Sequence, residues 1–218
     1  LDLPTNQSGE SKLENVVRGS STVVRAAMAG HRVSNKIMVS GKESFDLIAF
    51  PDSMIEALKS IVEEPGVLRT ELKETTVVWG RVTLDGKPVS GVSVTSETDS
   101  EAKAIYFNEF MIPDLKLTST STNGMYAFIN IQQGFNAILA QRGEAYFGHQ
   151  NVEVELGAVA IGDIQSSLRT ESVKIRAFDA FSGAPVQLTA SLQGLTQPVV
   201  LEEGVSFVSL AQVPRLSM

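Results

Sequence analysis

Five carboxylates crowd one stretch of the chain, SETDSEAKAIYFNEFMIPDLKL at residues 96–117: Glu97, Asp99, Glu101, Glu109 and Asp114. Hard oxygen donors of this type hold Ca2+, and close carboxylate pairs can share acid–base work. The spacing matches neither an EF-hand nor a repeat-type calcium loop, so a solvated acidic loop is the favoured reading. Should Ca2+ bind, Glu97, Asp99 and Glu101 are the candidate ligands; no other metal and no cofactor is expected. The two histidines, His31 and His149, each follow a glycine in equivalent places of a repeat described below. They are expected to fill structural positions in separate modules, since a metal site needs a third or fourth donor nearby. No G-x-S-x-G stands in the chain and there is no cysteine, which removes the usual serine and thiolate nucleophiles. Gly86-Lys87-Pro88 sits on a hairpin turn and not between a strand and a helix, so it is no phosphate loop. No catalytic residue is assigned, and the chain is not expected to be an enzyme.

Within the same stretch, IYFNEFMIP at residues 105–113 is more apolar than a connection requires. An aromatic ridge on a sheet protein can stack on sugar rings or on a partner surface. Tyr106, Asn108 and Phe110 are the candidate binding residues. The competing arrangement is a strand whose Ile105, Phe107 and Met111 face the core.

Those residues must be held by a folded chain, and the composition supports one. Of 218 residues 43% are hydrophobic and 20% charged, an ordinary balance for a globular protein. The formal net charge of −7, with a pI near 4.9, disfavours nucleic acid as a partner, because counterion-driven binding needs a basic surface. No apolar run approaches the roughly 20 residues of a spanning helix, so membrane insertion of this chain is not expected. The sequence opens at Leu1 without a methionine or a signal-like segment, as expected of a mature form or an excised fragment. Absence of cysteine in a β-rich chain fits a bacterial envelope or secreted protein.

The positioning elements repeat. Residues 5–32 lie over residues 120–150, with Gly9 on Gly124, Leu13 on Phe128, Asn15 on Asn130 and Gly19 on Gly134 at one constant offset. STVVRA then falls on NAILAQ, and Gly30-His31 on Gly148-His149 after a three-residue shift. A second pair, residues 77–97 and 173–194, sets Gly86-Lys87-Pro88-Val89 over Gly183-Ala184-Pro185-Val186. The back half of a module thus stands at 5 and 120, and the front half at 77 and 173. Each half reads as β: Val77, Trp79, Arg81 and Thr83 alternate with Val78, Gly80, Val82 and Leu84, and Asp85-Gly86 turns the chain. Met125, Ala127 and Ile129 interleave with Tyr126, Phe128 and Asn130 after an Asn123-Gly124 turn. One segment departs from this pattern. In DSMIEALKSIVEEPG, Met54, Ile55, Leu58, Ile61 and Val62 share one helical face, Ser53 and Glu56 form a capping box, and Pro65-Gly66 stops the helix. This helix is expected to cover a sandwich edge or a junction between modules.

VWGRV at 78–82, GKPVSGVSV at 86–94 and TSTNGMYAFINIQQG at 120–134 resemble the carboxypeptidase regulatory-like superfamily of β-sandwiches, also called transthyretin-like or prealbumin-like and related to collagen-adhesin B-type repeats. The likeness is best over residues 76–165. It implies an all-β fold of tandem Ig-like or prealbumin-like sandwich modules with one short amphipathic helix. Residues 1–50 would be a back half, 51–75 the helix and linker, 76–168 a complete sandwich, and 169–218 a front half able to pair with 1–50. Related repeats often carry a Lys-to-Asn bond from the first strand, but TTVVWGRV has no lysine, so no such crosslink is expected. Such sandwiches occur in peptidases, outer-membrane receptors and adhesins. The expected function is a non-catalytic binding or spacer region of a bacterial periplasmic, cell-surface or secreted protein, presenting loops or an edge strand to a glycan or protein partner. The alternatives are an accessory domain of a larger peptidase or glycan-active enzyme, and a calcium-dependent adhesin module.

Overall fold

Alternation in Val77–Leu84 sends side chains to two sides of one strand, and both sides are buried: Val77 and Trp79 on one, Val78 and Val82 on the other. A strand apolar on both faces needs a layer above and a layer below. The computed structural model supplies both. It describes residues 4–12, 14, 16–39, 46–62, 74–143, 145–166, 170–175, 178–186, 188–190, 199–201 and 208–214.

In chain order the elements are β1 (Ser21–Ala26), β2 (His31–Val39), β3 (Phe50–Pro51), α1 (Asp52–Val62), β4 (Val77–Leu84), β5 (Lys87–Pro88), β6 (Ser93–Ser96), β7 (Ile105–Phe107), β8 (Pro113–Asp114) and β9 (Met125–Ile129). There follow β10 (Gly134–Arg142), β11 (Ala145–Val154), β12 (Ala158–Ile161), β13 (Ile164–Ser166), β14 (Thr170–Ile175), β15 (Leu188–Ala190), β16 (Val199–Leu201) and β17 (Val208–Pro214). The described chain is all-β apart from α1.

A ten-stranded sheet runs β1-β2-β12-β4-β9-β7-β8, with β3, β5 and β13 attached to its sides. It is mixed: β12 lies parallel to both β2 and β4, while β9 and β7 run antiparallel to their neighbours. A three-stranded sheet, β11-β10-β6, faces it in a sandwich-like arrangement. Between them sits an inner core that includes Val78, Val82, Tyr106, Tyr126, Phe128, Ile138 and Val152. On the opposite side of the large sheet, Phe50 and the α1 residues Ile55 and Leu58 pack on Val77, Trp79, Ile105, Phe107, Met125 and Ile161. Helix α1 therefore covers a sheet face rather than an edge.

Turn chemistry behaves as the residue types require. Asp85 and Gly86 both take positive φ (49° and 78°), which makes the two-residue hairpin from β4 to β5. Gly124 is left-handed (φ 67°), and a Cβ there would stand 2.5 Å from the Val82 carbonyl oxygen, so glycine is required on two counts. Helix α1 starts at Asp52, one residue before the expected cap at Ser53, and its apolar contact is narrower than expected. Ile55 and Leu58 are buried, whereas Met54 and Ile61 stay exposed. Glu63, Glu64, Pro65 and Gly66 lie outside the described residues.

The repeat is visible in part. Gly9 and Gly124 are both left-handed, as are Gly19 and Gly134 with φ of 80° and 111°. The strand at each second glycine, β1 just after Gly19 or β10 beginning at Gly134, runs antiparallel to the next strand. The histidines do not keep their equivalence. Ala26 pairs with Ser34 across a long connection, whereas Arg142 pairs with Ala145 across a tight one, so the second strands start in different registers. His31 consequently lies opposite Pro51 and His149 opposite Leu139. At the C-terminal end, β14 pairs with β17 and β15 with β16 in two separate two-stranded sheets. The two ends of the chain are not paired among the described residues.

The inner core carries a pH signature. The Tyr126 hydroxyl is fully buried and donates to the Gly162 carbonyl; burial first, then Asp163 and Tyr106, push it well above the ordinary tyrosine range. Burial also raises Tyr106, with its hydrogen bond to Val94 opposing. Folding thus retains protons that the unfolded chain releases near pH 10. This contribution to stability is complete below about pH 10 and is lost as pH rises beyond it toward the folded-state values. The urea midpoint is expected to hold level up to about pH 10 and to fall above it, less steeply in Tyr126→Phe. A midpoint that stays level through that range would exclude the linkage.

Candidate binding surface

Asn108 follows β7 directly and organises the loop after it. Its Oδ1 accepts the amides of Phe110 (3.0 Å) and Ile112 (3.1 Å), and its amide donates to the Ile112 carbonyl at 2.9 Å. Side-chain oxygens of asparagine hold such turns because they reach a backbone N–H two residues ahead. Asn123, from the turn before β9, clamps the loop from below: its Nδ2 donates to the Asn108 carbonyl at 2.6 Å while its Oδ1 accepts the Met125 amide at 2.9 Å. Asp114 closes the far side by accepting the Lys116 amide at 2.9 Å.

This framework pushes apolar side chains into solvent. Phe110 is 74% exposed, Ile112 57% and Leu115 58%. Met111, which takes positive φ (63°), is exposed as well. Four large apolar residues within six positions, on a turn pinned by hydrogen bonds, make the most concentrated apolar surface among the described residues.

Of the three sequence candidates, Phe110 stands on this tip and Asn108 at its base as a structural clamp. Tyr106 is a correction. It is buried, its hydroxyl accepts the Val94 amide at 2.8 Å, and it belongs to the inner core. The reason is the double cover of the large sheet: in β7 the α1 side buries Ile105 and Phe107 while the other side buries Tyr106. The competing arrangement also needs amending, because Met111 points to solvent. Ile112 and Leu115 were not singled out from sequence. The signal was Pro113, which lies between Ile112 and Asp114 and shortens β8 to two residues, leaving its apolar flanks outside the sheet.

The acidic residues do not converge. Asp99 Oδ2 accepts the Gln132 amide at 2.8 Å, and Oδ1 faces the amides of Glu101 and Ala102 at 3.3 and 3.2 Å. Its carboxylate is engaged in stapling the start of the insertion to the loop before β10. Glu97 and Glu101 are exposed, and among the described residues no group of three or more His, Asp or Glu gathers as a metal site would require. His31 Nδ1 lies 3.1 Å from the Ala29 carbonyl oxygen.

A second polar region fastens the N-terminal hairpin. Lys36 Nζ is 2.9 Å from Asp163 Oδ2, whose other oxygen accepts the Arg81 amide at 3.2 Å. Arg32 donates to the Gly157 carbonyl at 2.9 Å and its Nε lies 3.2 Å from Asp52 Oδ1; Arg25 is paired with Glu155. These contacts tie β1 and β2 to the residues around β12 and to the start of α1.

The clamp and the tip should separate in stability measurements. Asn108→Ala removes the acceptor of two loop amides and is expected to cost about 1 kcal/mol in urea unfolding. Phe110→Ala should change stability by less than about 0.5 kcal/mol, as is usual for surface substitutions. Equal losses from the two would mean that Phe110 packs on the fold.

No protein-family model matches this chain, and no curated protein matches it. No helix among the described residues is long and apolar enough to cross a membrane.

Proposed function

We propose that this chain is a non-catalytic binding or spacer region of an extracytoplasmic bacterial protein, built from prealbumin-like sandwich modules that present the 108–115 tip to a partner. The carrying observation is the tip itself: Phe110, Met111, Ile112 and Leu115 are exposed on a loop pinned by Asn108, Asn123 and Asp114. A loop fixed before binding loses less entropy on association, so even a small apolar tip can act as an anchor. Its makeup, three aliphatic or thioether side chains around one phenyl ring, suits a protein pocket better than a sugar face, which favours a flat aromatic platform. The resemblance of residues 76–165 to the carboxypeptidase regulatory-like superfamily supports the module reading and the envelope or secreted location.

The test is a binding screen of the full chain against envelope proteins and a glycan array, with Phe110→Ser/Leu115→Ser alongside. Binding to a protein that disappears in the double variant, with melting unchanged, is the expected result. Binding that survives the double variant removes the tip from the reading, and glycan binding lost with the tip replaces the protein partner. Hydrolysis of a peptide or glycan by the purified chain would overturn the non-catalytic assignment.

A further inference from the structure

We infer that the outer edge of β1 is an acceptor for one more antiparallel strand, and that its occupant is an extended segment of the type this chain carries at residues 86–97, GKPVSGVSVTSE. The inference rests on the repeat and the sheet pairings, independently of the 108–115 tip.

In the complete copy of the repeat, β10 has a neighbour on each side. β11 covers one edge and β6 the other, with Ile138 opposite Ser96, Leu139 opposite Thr95, Ala140 opposite Val94 and Gln141 opposite Ser93. β1 is the counterpart of β10. In each copy a glycine with positive φ stands two residues before the aligned segment, STVVRA aligns with NAILAQ without a gap, and each strand pairs antiparallel with the strand after it. The facing also agrees. Ile138 and Ala140 point into the inner core, while their counterparts Val23 and Arg25 share a sheet face with Ala160 of that core, through the pairs Arg25 with Asn35 and Asn35 with Ala160.

One neighbour differs. β1 ends the large sheet, and among the described residues it pairs with β2 alone. None of the described residues stands where β6 stands beside β10. Val23 and Val24 are accordingly half-buried, whereas Ile138 and Leu139 are buried. Two of the usual guards against strand addition, proline and a β-bulge, are missing from this edge. It has six residues in continuous register, and its one charge, Arg25, is held by Glu155 with Glu153 nearby at 3.8 Å. Carrying the register of β6 on β10 across the repeat sets an incoming S-V-T-S strand opposite Val23–Ala26, with its threonine against Val24 and its valine against the aliphatic stem of Arg25. Backbone hydrogen bonds would supply affinity and the alternating side chains the selectivity, as in strand addition generally.

The experiment titrates a synthetic GKPVSGVSVTSE peptide into the full chain and follows amide hydrogen exchange at residues 21–26. Exchange there should slow with this peptide and not with a scrambled one, and Phe110→Ser should leave the effect intact. Two further peptides, N-methylated on alternate residues in opposite phase, add a geometric test. Only alternate amides of an added strand face the acceptor, so one phase should abolish binding and the other keep it. Binding that leaves residues 21–26 unprotected, or that survives both methylation phases, would overturn the proposal. A peptide that fails to bind at all would overturn it too. Sedimentation of the chain alone supplies the remaining outcome: a dimer dissolved by Val24→Lys, with melting unchanged, would assign the edge to a second copy and overturn the occupant named here.

Discussion

Gly80→Ala is expected to destabilise the fold by about 3 kcal/mol or more, the upper range for overpacking a core. A Cβ built on Gly80 stands 2.6 Å from the Tyr126 hydroxyl oxygen and against the Gly162 carbonyl. One of these obstacles is a ring held inside the inner core and the other is backbone, so no rotamer change clears the space. Gly162 is bound by the same contact from the opposite side, since its own Cβ would stand 2.9 Å from the Tyr126 hydroxyl. Two glycines and one tyrosine thus form a single close-packed unit in which β4, β9 and the residues after β12 meet. Urea unfolding followed by far-ultraviolet circular dichroism measures the loss. Adding Tyr126→Phe to Gly80→Ala should recover only part of it, because the carbonyl clash persists. A Gly80→Ala protein with the parent's midpoint would show that this approach is looser than described.

The second large effect is expected on the other face of the sheet. Trp79→Ala should cost about 3–5 kcal/mol, the usual range for truncating a buried large aromatic. Its ring lies between Phe50 at 5.3 Å and Phe107 at 4.8 Å between centroids, tilted by 59° and 56°. Helix α1 reaches the sheet through the same cluster, by Ile55 and Leu58. Eleven residues of helix are marginal in water without such packing. Amide exchange in α1 should therefore accelerate more than exchange in β10 and β11. Uniform acceleration would mean that helix and sheet open together and that Trp79 does not specifically hold α1.

Much of this architecture was legible because it depends on local chemistry. The alternation of Val77–Leu84, the Asp85-Gly86 turn and the apolar stripe of α1 each follow from neighbours a few residues apart. What escaped notice depends on distant pairing. Ala158–Ile161 is a short apolar run whose partners are β2 and β4, and nothing in AVAI specifies a parallel strand between them. Tyr106 looked like a surface residue because alternation in Ile105–Phe107 implies an exposed face only if one side of the sheet is open. Here the three-stranded sheet covers the Tyr106 side, and Phe50 and α1 cover the side of Ile105 and Phe107. At Asp99 the residue type suggested a ligand, but both carboxylate oxygens face backbone amides. Phe110 was singled out with the aromatic ridge of residues 105–113, whereas the exposure of Ile112 and Leu115 required the shortness of β8.

The parallel strand β12 also sets an order of events for chain synthesis. β2 and β4 are made early, but neither is the other's neighbour, and the strand that joins them in the sheet is translated only after β11. Until Ala158–Ile161 leaves the ribosome, Val33–Asn35 and Val77–Trp79 each present one ladder edge that, among the described residues, only β12 fills. Contacts so far apart in sequence are slow to form, and unpaired apolar strands are where nascent chains aggregate. A ribosome-bound chain stopped before β12 should be protease-sensitive and prone to capture by chaperones. One extended past β13 should acquire resistance in a single late step, the keystone of the sheet being the last of its central strands to be synthesised.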